Sequence, residues 1–203
     1  MHASRSRLIG AALSLLLAAT LAGCSTAEAG ALAQSAGEPG RAPQGAAEPA
    51  DPGDAGLTDD DGYIPEGSSL ALDSDLPAVT RLSPKLLSAL RDAQAAMTQG
   101  GERGGIAIAD GWRSERYQEY LFAQAVRQYG SAEEAQKWVK RGNDSAHVAG
   151  DAVDIADAGA MDFLNRFGNE WGLCQVYANE AWHFELRTSP GGQCPAQSAD
   201  GRG

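Results

Sequence analysis

The sequence predicts a small α+β domain, a short and mainly antiparallel sheet with helices packed around it. Short apolar runs of strand length, at 106–109, 153–155, 173–177 and 182–186, alternate with longer segments whose apolar residues follow helical spacing. Helix-start signals precede those segments: Ser83-Pro84, Ser114, and Ser131 with Glu134 three positions on. Glycines at 100–101 and 130 supply the stops.

Taken in order, residues 1–23 carry Arg5 and Arg7 and then an uncharged, mostly apolar run from Leu8 to Leu21. A spanning helix needs about 20 apolar residues, so the run reads as a secretory signal and not as a membrane span. It ends Leu21-Ala22-Gly23-Cys24, which resembles the lipobox of bacterial lipoprotein signals. That resemblance implies a lipid-modified Cys24 and a protein exported to the outer face of the cytoplasmic membrane. Residues 24–62 are rich in Ala, Gly, Pro and Asp, and bury too little apolar surface to offset the entropy of ordering. They read as a flexible tether, with the ordered domain at 63–196 and a loose, disordered tail at 197–203.

Within the domain, Leu86, Leu87, Leu90, Ala93 and Met97 form the apolar stripe of a first helix. Ile106 to Ala109 is a strand, and Asp110-Gly111 turns it into Trp112-Arg113-Ser114. A second helix follows Ser114 to about Tyr129, a third runs from Ser131 to about Val139, and a polar loop spans Lys140 to Ser145. Val153 to Ile155 is a strand, Asp157 to Trp171 is helical, and two further strands follow at 173–177 and 182–186. The four tryptophans, at 112, 138, 171 and 182, read chiefly as packing residues.

The formal net charge of −11 argues against nucleic acid as a partner, because binding there requires Lys and Arg to neutralise phosphates. No long coiled-coil pattern is present, so a monomer is expected. With Cys24 assigned to the anchor, Cys174 and Cys194 remain, and an even pair in an exported chain reads as one disulfide.

The chemistry concentrates in two stretches, Ser145-Ala-His147-Val-Ala-Gly150-Asp-Ala-Val-Asp154 and Glu180-Ala-Trp-His183. The chain has three histidines; one, His2, lies in the signal, so both others stand in these motifs. A catalytic zinc takes three protein ligands and keeps one position open, and His147, Asp154 and His183 make a suitable set. Gly150 allows a turn that returns the chain, so that the following strand presents Asp154 beside His147. His183 begins a strand, on which it shares a face with Glu185 while Phe184 and Leu186 face the other way. Glu180 falls in the preceding turn, where its carboxylate suits a general base. Glu185 is either a partner that orients a ligand or a solvated or core-satisfied carboxylate.

The order S-x-H-x-x-G-x-A-x-D and then E-x-W-H resembles the VanY-type D-alanyl-D-alanine carboxypeptidases, with the VanX-type dipeptidases as relatives. Gly111-Trp112-Arg113-Ser114 and Tyr117-Gln118 add to the likeness, which spans about 61–195. The resemblance implies one zinc ion per chain held by His147, Asp154 and His183, with Glu180 as catalytic base. It implies that Arg113 stabilises the developing oxyanion and that Ser145, Tyr117 and Gln118 contact substrate. The implied fold is a DD-peptidase or hedgehog-like α+β domain with the metal on its central antiparallel sheet. The implied substrates are peptidoglycan stem peptides ending in D-Ala-D-Ala. An endopeptidase of the same fold and a non-catalytic zinc module that binds cell wall are the competing expectations.

Overall fold

A computed structural model describes residues 55–101 and 104–202. The signal, Cys24 and the tether up to residue 54 lie outside the described residues. Five strands form one sheet in the order β1-β2-β3-β5-β4: β1 Leu70–Ala71, β2 Ala107–Asp110, β3 Ala152–Ile155, β4 Leu173–Gln175 and β5 His183–Leu186. Every pairing is antiparallel. The helices are α1 Pro77–Thr80, α2 Pro84–Gln99, α3 Glu115–Tyr129, α4 Ala132–Ala135, α5 Ala146–Ala149 and α6 Ala158–Phe167. The α+β expectation therefore holds. Among the described residues no helix is long and apolar enough to cross a membrane.

One face of the sheet carries the core. Leu86, Leu90 and Met97 of α2, Phe163 and Leu164 of α6, and the inward strand residues Ile108, Val153, Ile155, Leu173 and Phe184 form one buried cluster. The starts of the helices obey local rules. Ser83 caps α2 with Pro84 at its first position, and the side chain of Ser114 accepts from the Tyr117 amide at the head of α3. A smaller cluster of Phe122, Ala125 and Ala135 joins α3 to α4.

Two glycines let the site-bearing loops approach the core closely. A Cβ on Gly111 would stand 2.1 Å from the Ala78 carbonyl oxygen, so only glycine fits where the end of β2 crosses α1. Gly150 has φ +77°, and a Cβ there would meet the Arg81 carbonyl oxygen at 2.4 Å. Its own carbonyl accepts from the Ser83 amide at 2.8 Å, which ties the turn after His147 to the start of α2.

The structure departs from the sequence expectations at the margins. The expected tether runs to residue 62, yet Leu57 is buried and Asp61 accepts from Ser114 Oγ at 2.8 Å and pairs with Arg116. The Asp61 carbonyl also accepts from the Ser114 amide at 2.8 Å and the Gly56 carbonyl from Arg116 at 2.9 Å, so this segment is fastened to the domain by both side chains and backbone. The tail expected to be loose from Gln197 is also held. The Ser198 amide donates to Val176 O at 3.0 Å, Ser198 O accepts from the Ala178 amide at 2.9 Å, and the Gly201 amide donates to Lys137 O at 2.9 Å. These are backbone bonds, which composition does not reveal. The third helix ends at Ala135 and not near Val139, and β1 and α1 were not anticipated, being too short to carry a period.

Cys174 on β4 and Cys194 form the expected disulfide. It closes a loop of sequence separation 20 that contains both Glu180 and His183. Replacing both cysteines by serine is expected to lower unfolding stability by about 3 kcal/mol, the chain-entropy value for a loop of this length, as read by denaturant unfolding.

Candidate metal centre and cleft

His147, Asp154 and His183 converge on the face of the sheet opposite the core. Each arrives by a different route. Asp154 and His183 sit directly opposite one another on β3 and β5. His147 is on the single turn of α5, which ends at the left-handed Gly150 and delivers the chain into β3. All three are buried, with 4–9% of their surface exposed. His183 Nδ1 lies 3.1 Å from Asp154 Oδ1 and 3.2 Å from His147 Nε2, and His147 Nε2 lies 3.5 Å from Asp154 Oδ1. A tetrahedral centre with bonds of about 2.0–2.1 Å spaces its donors about 3.3–3.4 Å apart, so the triangle fits one such ion with room for a fourth ligand.

The remote ring nitrogens are held as such a site requires. His147 Nδ1 is 2.8 Å from the Gly111 carbonyl oxygen. A carbonyl can only accept, so Nδ1 carries the proton and Nε2 keeps its lone pair. His183 Nε2 is 3.0 Å from Glu185 Oε1, and Glu185 in turn pairs with Arg187 at 3.2 Å. Of the two readings left open for Glu185, the orienting partner is the one its contacts match. Burial disfavours charge on His183, but hydrogen bonds to Asp154 and Glu185 outweigh it and push its pKa up to about 9. Burial likewise opposes the charge of Asp154, and the two imidazoles overcome it and hold the carboxyl well below its usual range.

Glu180 lies in the turn before β5, its Oε2 3.8 Å from His183 Nδ1. Burial pushes its pKa up to about 7. At neutral pH it is therefore poised between accepting and releasing a proton, which suits a group that must do both.

Arg113 is buried in a ring of acceptors. Its Nε faces Asp110 Oδ1 at 2.8 Å, Nη1 donates to Gln118 Oε1 at 3.1 Å, and Nη2 donates to Asp154 Oδ2 at 3.3 Å. Burial opposes its charge, yet Asp110 and Asp154 more than compensate and raise its pKa. A guanidinium has five N–H groups, so two remain for a ligand.

The other expected site residues separate into distinct roles. Ser145 is buried and lines the cleft immediately before α5. Tyr117 is buried with its ring edge-on to Tyr63 at 5.9 Å, and burial raises its pKa and keeps the phenol neutral. Gln118 is 1% exposed; it accepts from Arg113 and donates to the Lys140 carbonyl, so it braces the arginine. Sequence reasoning overlooked Asp110, which it placed only in a turn, and Tyr177, whose ring lies 5.0 Å from that of His183. It also read Trp182 chiefly as packing, whereas the residue is 39% exposed and lines the cleft. Trp112 does pack: its Nε1 donates to Val148 O at 3.1 Å and Arg81 lies over its ring. The cleft above the triangle has a volume of about 1120 Å³.

Because a cation must displace the proton from His183 Nδ1, its apparent affinity is expected to rise about tenfold per pH unit up to pH about 9 and to level off above. Chelator competition between pH 6 and 10 measures this, and a flat profile would show that His183 is not protonated in the metal-free site.

No curated protein sequence matches the chain. Among solved structures, a mutant of the vancomycin resistance D,D-pentapeptidase VanY from a VanB-type cassette, in complex with Zn(II), is 19% identical. The alignment covers 58% of this chain and 77% of that one, with a TM-score of 0.47. VanYB in complex with D-alanine-D-alanine is 22% identical over 60% of this chain and 80% of that one, with a TM-score of 0.48. The LdcB LD-carboxypeptidase is 18% identical over 61% and 69%, with a TM-score of 0.49. The family model described as VanY, D-alanyl-D-alanine carboxypeptidase, matches residues 79–189, more than half of the sequence and all of the residues in the triangle. The chain belongs to the VanY family of D-alanyl-D-alanine carboxypeptidases.

Proposed function

We propose that this chain is a zinc-dependent carboxypeptidase that removes the terminal D-alanine from peptidoglycan stem peptides. The observation that carries the reading is the convergence of two imidazole nitrogens and one carboxylate oxygen, 3.1–3.5 Å apart, with the Glu180 carboxylate beside them. Nitrogen and oxygen donors of this kind in a tetrahedral setting suit zinc. Zinc bound there supplies a Lewis acid that polarises the scissile carbonyl and acidifies water.

The chain's own groups do the rest. Glu180 takes a proton from the attacking water as the water oxygen bonds to the carbonyl carbon. It gives that proton to the amide nitrogen as the C–N bond breaks, so the leaving D-alanine departs as an amine. Arg113 offers its two unengaged N–H groups to the oxygen on which negative charge develops. Asp110, Gln118 and Asp154 fix the plane of that guanidinium beforehand. A cleft of about 1120 Å³ exceeds the usual range of about 300–1,000 Å³ for small-molecule pockets, which favours several residues of a stem peptide over a free dipeptide.

Cys24 is the proposed site of lipid attachment, with the domain displayed outside the cytoplasmic membrane on its tether. Export places the enzyme where stem peptides are exposed. Globomycin is expected to leave the precursor uncleaved on a gel of cell membranes; normal processing under the drug would exclude the anchor.

A synthetic pentapeptide stem incubated with zinc-loaded enzyme is expected to lose one alanine, read by mass spectrometry; cleavage at an inner bond would identify an endopeptidase instead. Glu180→Ala is expected to retain zinc and fold while losing at least about 10²–10⁴-fold in kcat, the usual contribution of a positioned acid–base group. Wild-type turnover by that variant would show that another group is the base.

A further inference from the structure

The cleft holds two basic side chains, Arg113 and Lys140, and they are not equivalent. Arg113 is neutralised in place, with Asp110 and Asp154 at its guanidinium. Lys140 has no carboxylate within ion-pair distance among the described residues. Its ammonium lies over the Tyr177 ring, 5.6 Å from the centroid, and that ring is 5.0 Å from the imidazole of His183. Its backbone carbonyl accepts from Gln118, the residue that braces Arg113, so the start of this loop is fixed relative to the triangle. Lys140 also lies near enough to Glu180 to favour that carboxylate's charged form. The uncompensated cation thus stands in the cleft on the Glu180 and Tyr177 side of the triangle, at the end of a flexible four-carbon stem.

A peptidase confined to the last residue of a chain needs a group that recognises a free carboxylate one residue beyond the bond it cuts. In a protein of net charge −11, a local cation with no carboxylate partner is the group whose charge best suits that task. From this placement, and resting on the carboxypeptidase reading above, we propose that Lys140 binds the C-terminal carboxylate of the substrate and so restricts cleavage to the terminal residue. Tyr177 serves as the platform that holds the lysine stem between its loop and His183. Lys140 acts on binding and register, and is a specificity residue that takes no part in proton transfer.

The test compares a pentapeptide stem bearing a free C-terminal acid with the same peptide bearing a C-terminal carboxamide, on the zinc-loaded enzyme. The wild type is expected to prefer the acid in kcat/KM. Lys140→Met keeps the stem length and removes the charge, and is expected to reduce that preference about 10- to 100-fold, chiefly through KM of the acid, as loss of one charge-assisted hydrogen bond implies. Lys140→Arg is expected to keep most of the preference. Thermal unfolding of each variant separates a folding defect from a binding one, since misfolding would depress both substrates and leave their ratio unmoved. An acid-over-amide ratio in Lys140→Met equal to that of the wild type would overturn the assignment of Lys140 while leaving the carboxypeptidase reading intact. Failure of the wild type to cleave either peptide would overturn the carboxypeptidase reading and this inference with it.

Discussion

The centre depends on the register in which β3 meets β5. Asp154 is paired with His183, and Val153 with Phe184, so the strands alternate between ligands on one face and core residues on the other. Phe184 and Val153 are fully buried. A slip of one residue would turn the charged and imidazole groups into the apolar cluster and lift the core residues out of it. The free energy of packing α2 and α6 against the sheet therefore also specifies which side chains meet at the metal centre. Two of the three donors are thus positioned by the hydrophobic core on the other face of the sheet.

The third donor needs a different device, because His147 lies on a separate element. The single turn of α5 is too short to hold itself together, since helix nucleation is costly and so few residues add little propagation. It is held from outside. The Arg113 amide donates to the His147 carbonyl at 3.2 Å, and the imidazole leans on the Gly111 carbonyl. Gly150 then lies against the Arg81 carbonyl. The G-W-R-S segment thus supplies both the guanidinium of Arg113 and the carbonyl that sets the tautomer of His147. Spacing this close explains why the two motifs work as one unit although 36 residues separate Gly111 from His147.

The site was more legible in the sequence than its supports were. Zinc-type donors stand out because the chain has only three histidines, and Glu180 because it sits three residues before one of them. The strands and α2 were legible because each has a period long enough to read. The supports lack such marks. Gln118 lines the cleft, and its hold on Arg113 was not legible, because a sequence likeness transfers a residue type and not the partners that its side chain meets. Asp110 is one of many acidic residues in the chain, and only the fold brings it 2.8 Å from a buried guanidinium. The tail was misread for a related reason: Ser198 and Gly201 are held through their backbone, and composition records side chains.

The same neighbourhood also concentrates the molecule's electrostatic cost. Arg113, His147, Asp154, Glu180, His183 and Glu185 are all buried. Burying such charges is seldom stabilising relative to apolar packing, even when each finds a partner. Here the cost is spread unevenly over these groups. Asp154 and Arg113 are held charged by their neighbours, whereas Glu180 is raised towards neutrality by burial. The sign follows from linkage: Glu180 binds its proton more tightly folded than unfolded, so its share of stability is present below its ordinary value near 4.5 and is lost as pH rises through about 7. At the pH where the carboxylate can act as a base, the fold is paying to keep it there. A divalent cation in the triangle would relieve that cost by placing positive charge beside both Glu180 and Asp154. Folding, metal uptake and the strength of the base are therefore linked through one small volume, and what makes Glu180 a better proton acceptor also makes the metal-free domain less stable.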